Sequence, residues 1–564
     1  MCANGQSRDT RADTWVATDA LGRRVSTHQD VGRPRKDKFV GIFYFLWMGQ
    51  HGTDGPYDVT KILAADPDAM KKPDSPLWGP PGAFHHWGEP LFGYYLSDDA
   101  WVIRKHAQML SDAGVDVIIF DVTNQITYQK VYMQLCETFA QVRRDGGKTP
   151  QIAFLTPFWD PPKVVKELYE NLYKPGLYSD LWFQWDNKPL ILADKSKVPY
   201  RFRNFFTYRK PEPSYFVGPS GPNQWGWLEV YPQHIFYDEA GPEGSRAGKP
   251  EQMTVGIGQN GKDPQRCAAF SESDTHGRSW HNGKKDERPG TVNLGLNVSE
   301  QWERALEVDP EFIFITGWNE WIAIRLSEFN GVKEPVMLVD QYTQEYSRDI
   351  EPMRGGHWDA YYYQMVDYIR KFKGARKPPV VGPLTTIRDF DDWKRVRTEY
   401  LDDAGDTMHR DHPGYDDVGR YVNTSGRNDF VLTKVAHDAA NVYFYAQTRE
   451  AITPHTDPDW MMLFIDSDGN PSTGWEGYNF VVNRKVGLLE ESTLGWDWHP
   501  RATVDYQVRG NELWLAIPRN VLGLNGRVRF DFKWADNMQS NDIMEFTLDG
   551  DSAPNGRFNY RYSE

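Results

Sequence analysis

Between residues 38 and 373 the chain alternates short, almost unbroken apolar runs with amphipathic helical patterns. "KFVGIFYFLW" (38–47) opens the series as a strand. "DDAWVIRKHAQMLSDAGVDVIIFDVTN" (98–124) adds a helix, a stop at Gly114 and a strand ending on Asp121. "YQKVYMQLCETFAQVRRDGGK" reads as a helix, "PQIAFLTPFW" as a strand, "PPKVVKELYENLY" as a helix and "KPLILAD" as a strand. "YFVGPS", "MTVGIG" and "FIFITGW" continue the strands, "QWERALEV" precedes the last of them, and "WDAYYYQMVDYIRKFK" closes the region. Strands apolar on both faces and separated by helices belong to a parallel sheet covered on both sides. About eight such units fit a (β/α)8 TIM barrel. A doubly wound open sheet is the competitor, and it wants a Gly-rich nucleotide turn where this chain has "FLWMGQHGTDG". "WGWLEVYPQ" (225–233) reads equally as strand or loop.

The pattern changes after "GARKPPVVGP" (374–383), whose Pro and Gly content marks a boundary. Short alternating strands follow, with turn signals every ten residues or so, the pattern of an antiparallel β-sandwich. The expected layout is an N-terminal tail or spacer (1–36), an α/β barrel (37–373), a linker (374–385) and a β-sandwich (386–564).

The net charge of −15 argues against a nucleic-acid partner, which would need a basic surface. No apolar run reaches the roughly 20 residues of a spanning helix. The three cysteines (2, 136 and 267) have no zinc or redox spacing. Cys2, followed by the polar "ANGQSRDT", suits a bacterial lipid anchor, which predicts an extracytoplasmic protein: surface lipoprotein, periplasmic or secreted. Aromatic residues make up 14% of the chain, including 22 Trp, and sugars pack their C–H faces on such rings.

In a barrel, side chains at the carboxyl ends of the strands build the active face. Carboxyls there are the candidate catalytic residues: Glu320 in "ITGWNEW", with Glu229 or Asp121 as its partner. Glycosidic cleavage needs a carboxylic acid to protonate the leaving oxygen and a second carboxylate as base or nucleophile. Apolar aromatic walls raise a carboxyl pKa toward the acid role. Tyr44, Trp47, His85, His86, Asn124, Trp159, Trp227, Gln259, Asn260, Trp318, Asn319 and Trp321 are the candidate substrate contacts. Asp160 and Asp194 also end strands but read as a helix cap and a solvated turn.

"VGIFYFLW", "GYYLSDDAWVIRKHAQMLSDAGVDVIIFD", "NKPLIL" and "ITGWNEW" together resemble the glycoside hydrolase barrels of families 99 and 71. The resemblance covers about residues 38–373 and implies a TIM barrel acting on α-linked mannosides or glucans. In family 99 the motif is Asn-Glu-Trp-His-Glu: its first Glu assists attack through the sugar 2-hydroxyl, and the second is the general acid. Glu320 matches the first, whereas the second position is Ala323, so the family's acid has to come from Glu229, Asp121 or Glu328, or cleavage is lost. "DPDWMMLFIDSDGNPSTGWEGYNFVVNR" resembles a family 9 carbohydrate-binding sandwich, which implies a structural calcium; Asp466, Asp468 and Asn470 are the candidate ligands. No cofactor is expected for catalysis.

The expectation is a glycoside hydrolase acting on a polysaccharide or its oligosaccharides. The alternatives are a catalytically inactive surface glycan-binding protein and, third, a polysaccharide lyase using Arg325 or the "HGRSWHNG" loop (276–283).

Overall fold

The computed structural model describes residues 8–212, 214, 221, 223–237, 248–263, 266–272, 274–333 and 336–564. Seven parallel strands lie side by side in the order Pro250–Gly256, Phe312–Thr316, Phe39–Tyr44, Val117–Asp121, Gln151–Leu155, Lys188–Leu192 and Thr207–Arg209. Every residue of Val117–Asp121 and of Phe312–Thr316 is buried, as strands covered on both faces require. Helices Ala100–Ala113, Gln129–Arg144 and Leu296–Val308 supply the cover. The first is capped by Asp99, whose side chain accepts from the amides of Trp101 and Val102, and it ends at Gly114 in the left-handed conformation.

The sheet curls, and Trp225–Gly226 pairs in parallel with Pro211–Glu212, just past the seventh strand. Among the described residues no backbone ladder joins Trp225–Gly226 to Pro250–Gly256, so the expected closed barrel is instead a curled sheet with an open seam. The Gln252 side chain bridges that seam, accepting from the Gly226 amide (3.1 Å) and donating to its carbonyl (2.9 Å). The "WGWLEVYPQ" stretch is thus strand for two residues and irregular after them. The expected strand "YFVGPS" lies outside the described residues.

Residues 374–388 carry no helix or strand. Beyond them, Glu399–Leu401, Phe430–His437, Asn441–Thr448, Glu512–Pro518 and Tyr506–Arg509 form one antiparallel sheet. A second is built around Met462–Asp466 and Arg529–Asp536. Phe444 of the first sheet meets Phe530 and Phe532 of the second at 5.4 and 5.7 Å.

Residues 8–36, expected as a free spacer, are packed down. Trp15 is buried against Phe558 and Tyr560, Val16 bridges to Asn559, and Arg376 binds Asp9 and Asp13. The polar composition that suggested a tail is used up in these ion pairs and in the bond from the Ser26 amide to Asp367 (2.8 Å). Cys2 lies outside the described residues. No helix among them is long and apolar enough to cross a membrane.

Candidate active site

The strand Phe312–Thr316 delivers Glu320 to the carboxyl end of the curled sheet, where its carboxylate meets Arg348. Glu320 Oε2 lies 3.0 Å from Arg348 Nη2 and 3.2 Å from its Nε, and accepts from Gln341 Nε2 at 3.3 Å. Arg348 Nη2 also reaches Asp340 Oδ1 at 3.2 Å. Gln341 Nε2 binds Asp349 Oδ2 at 2.7 Å, and its carbonyl oxygen accepts from the Arg348 amide. The Arg348 guanidinium stands over the Trp227 ring, 5.6 Å from its centroid.

Burial dominates the electrostatics. It pushes the Glu320 carboxyl well above the usual range; Arg348 opposes the rise, while Asp340, Asp349 and Asp121 add to it. Asp349 is pushed up to about 7 by burial, against the pull of Arg348. Asp121 rises to about 6 for the same reason, although Thr123 donates to it. Arg348, with Arg278 acting on Asp349, only partly offsets the burial that raises Glu320, Asp349 and Asp121. Glu320 is 4% exposed, and Asp340 is the more open carboxyl, with 19% of its side chain accessible.

Ala323 sits where the resemblance would put an acid. It is buried in an apolar cluster with Val59, Ile62, Trp78 and Leu338, a setting that would penalise a carboxylate. Its strand, Ile322–Leu326, pairs antiparallel with Met337–Leu338, matching Arg325 to Leu338. Continuing that register by two residues sets Asp340 level with Ala323.

The other expected residues divide. Trp47, Asn124 and Asp121 come together: Trp47 Nε1 donates to the Asp121 carbonyl (3.3 Å), and Asn124 donates to Tyr128, which packs 5.7 Å from Trp47. Trp159 is half exposed at the end of the next strand, beside Phe158. Trp227 forms the floor under Arg348.

No protein-family model and no curated protein matches the chain. Among solved structures it is similar to the GH99 endo-α-mannosidase from Bacteroides thetaiotaomicron in complex with Bis-Tris propane, at 15% identity over 60% of this chain and 97% of that one, with a TM-score of 0.32. It is similar to a glycoside hydrolase-like protein at 12% identity over 61% and 96%, TM-score 0.31. A family 9 carbohydrate-binding module from Caldicellulosiruptor kristjanssonii, in complex with glucose, matches at 10% identity over 29% and 79%, TM-score 0.17.

The remaining expected contacts serve the scaffold. Trp318 and Trp321 point into the core instead of walling a hollow: Trp321 stacks on Trp87 (4.4 Å) and donates to Glu351 (2.5 Å), and Trp318 packs edge-on to His106. Tyr44 joins the same buried network through His106 (2.9 Å), itself 2.9 Å from Glu351. Asn319 exchanges two hydrogen bonds with the Phe45 backbone. His85 is held between the carbonyls of Ala83 and Trp78, and His86 is sealed between Tyr94 and Tyr415, so neither roofs the site. Gln259 and Asn260 are buried among their own loops, bonded to Asn297 and to the Val339 carbonyl. Glu229 is buried and engaged with His234 (2.8 Å), and the carboxyl that shares Arg348 with Glu320 is that of Asp340. Arg325 is buried and donates to the Gly79 carbonyl (2.7 Å).

Sequence reasoning missed Asp340, Gln341, Arg348 and Asp349. The signal was available: "VMLVDQ" (336–341) is another apolar run ending on an acid. At the other end of the molecule, the expected calcium ligands bind their own turn. Asp466 Oδ1 accepts from the amides of Asp468 and Gly469, Asp468 Oδ1 from that of Asn470, and Asn470 Oδ1 from that of Ser472.

Proposed function

We propose that the chain is a glycoside hydrolase acting on a complex polysaccharide or its oligosaccharides, with residues 37–373 as a TIM-barrel-like catalytic domain and 386–564 as an accessory sandwich. The observation that carries the reading is the sharing of Arg348 Nη2 by Glu320 and Asp340. Glu320, kept protonated by burial, serves as proton donor to the glycosidic oxygen, and the more open Asp340 serves as the carboxylate partner. Because both oxygens contact one nitrogen, they lie no more than about 6 Å apart, a spacing compatible with the shorter carboxyl separation of retaining glycosidases. Trp159 and Trp47 offer rings for sugar stacking. A surface or periplasmic location in a bacterium goes with a polymeric substrate.

The test is a panel of plant, algal and microbial polysaccharides and their oligosaccharides, scored for released reducing ends. Wild-type release that disappears in Glu320→Gln and in Asp340→Asn supports the reading. A second reading, glycan binding without cleavage, is favoured by the near-complete burial of Glu320 against a guanidinium. Saturable binding of an oligosaccharide with no product after long incubation would select it.

A further inference from the structure

We infer that Asp402, Asp406 and Asp551 hold one divalent cation of the calcium class, where the helix Ala100–Ala113 meets the antiparallel sheets. One oxygen from each lies within 4.8 Å of the others, and the three residues are 0%, 5% and 6% exposed. Asp402 Oδ2 and Asp406 Oδ1 are buried with no hydrogen-bond partner. Asp429, nearby in the same seam, binds the Gly405 amide through Oδ2 (2.7 Å) and also leaves Oδ1 without one.

The orphan oxygens carry the argument. A buried acceptor without a donor costs about 1–3 kcal/mol, more when charged; among the described residues no Lys or Arg forms an ion pair with the three aspartates, and the buried Lys533, which attracts Asp402 and Asp551 from farther off, is itself lowered by burial to about 7. Neutral donors fix the other oxygens: Tyr560 to Asp402 (3.3 Å), Gln108 to Asp406 (2.8 Å), and, on the two oxygens of Asp551, the amides of Phe430 (2.6 Å) and Ser552 (2.8 Å). Those bonds orient the carboxylates without neutralising them. A cation supplies what is missing. Donors that are all oxygen select a hard ion, and crowded carboxylates with little room for water suit calcium, which takes six to eight oxygens, better than the well-hydrated magnesium. Asp466, Asp468 and Asn470 differ in this respect: turn amides bind Oδ1 of each, and none of the three has a buried oxygen without a partner. Gln108 belongs to the helix and Asp551 to the sheets, so the ion would brace one against the other.

The test uses the full chain, stripped with EDTA and dialysed into metal-free buffer. After calcium is added back and the excess removed, about one calcium per chain is expected by elemental analysis, with a melting temperature that rises with added calcium and much less with magnesium. Asp406→Asn should abolish both responses, whereas Asp466→Asn combined with Asp468→Asn should keep them. If the aspartates are merely buried acids, Asp406→Asn leaves calcium uptake and the calcium-dependent rise as in wild type, and that overturns the inference. So does an absence of calcium uptake by the wild-type chain, a result that stands even if the Asp406 variant fails to fold.

Discussion

Glu320 and Asp340 share a single nitrogen of Arg348, at 3.0 and 3.2 Å, although twenty residues separate them in the chain. Both are thereby placed on one small polar surface above Trp227, and the two acids differ in access to solvent. The proposed cleavage would use that difference, with the carboxyl that burial keeps protonated as acid and the more open one as carboxylate.

Glu320→Gln is expected to lower kcat by about 10²–10⁴-fold, the usual worth of a positioned acid or base. Stability should change by less than about 1 kcal/mol, since glutamine has the shape of a protonated glutamate and Asp340 still faces Arg348. Arg348→Met should cost far more, about 3–5 kcal/mol, because it strips a buried cation from the carboxyls around it. Steady-state kinetics with urea denaturation check both; a Gln variant with full kcat removes Glu320 from the chemistry.

The raised carboxyls set a pH dependence with a definite sign. Asp121 has a folded-state value of about 6, against 3.8 when unfolded. Below pH 4 both states hold the proton. Between pH 4 and 6 the unfolded chain releases it and the folded chain does not, so stability falls as pH rises and levels off above 6. The contribution is at most on the order of 3 kcal/mol. Asp349, at about 7, extends the fall toward neutrality. Urea midpoints from pH 4 to 7, at fixed calcium, should decline less steeply in Asp121→Asn than in wild type. Parallel slopes would show that burial does not hold the proton on Asp121.

The elements between 38 and 373 were legible because each uses a local rule: apolar runs for buried strands, and Asp99 and Gly114 for the ends of a helix. The direction of a side chain at a strand end follows no such rule. "GWNEW" announces a carboxylate between two tryptophans, yet Trp318 and Trp321 turn to His106 and Glu351, and Glu320 turns to a segment more than twenty residues on. Asp340 ends the short apolar run 336–339, which marks it as a strand-end acid without saying which carboxyl it faces, and Arg348 follows in an irregular stretch, so only the folded chain brings them to Glu320. Glu229 misled for a related reason. Its aromatic flanks suggest a cleft, but His234, five residues away, satisfies it locally.

The tryptophans should separate by function when substituted. Trp159, 50% exposed, is expected to contribute to sugar binding alone: Trp159→Ala weakens an oligosaccharide about three- to tenfold and leaves the melting temperature unchanged. Trp321→Phe removes the N–H that serves Glu351 and part of the stack on Trp87, at about 2–4 kcal/mol, with little effect on affinity in the folded fraction. Calorimetric titration and thermal melts of both variants decide the matter; reversed phenotypes would mean that Trp321 reaches the ligand.

The seam of the curled sheet gives the last expectation. Where strands pair by backbone, side-chain identity matters little, but between Trp225–Gly226 and Pro250–Gly256 side chains make the described hydrogen bonds: the Gln252 amide on the Gly226 backbone, and Glu251 accepting from Trp225 Nε1 (2.9 Å). Gln252→Leu fills the same space and leaves the Gly226 amide and carbonyl buried without those partners, at about 2–5 kcal/mol. Gln252→Glu keeps an acceptor for the amide but faces the carbonyl with an oxygen, and should fall at least as far unless the new carboxyl stays protonated. Lowering the pH should then rescue Gln252→Glu and not Gln252→Leu. Urea unfolding at two pH values measures this, and a Leu variant as stable as wild type would mean that other contacts close the seam.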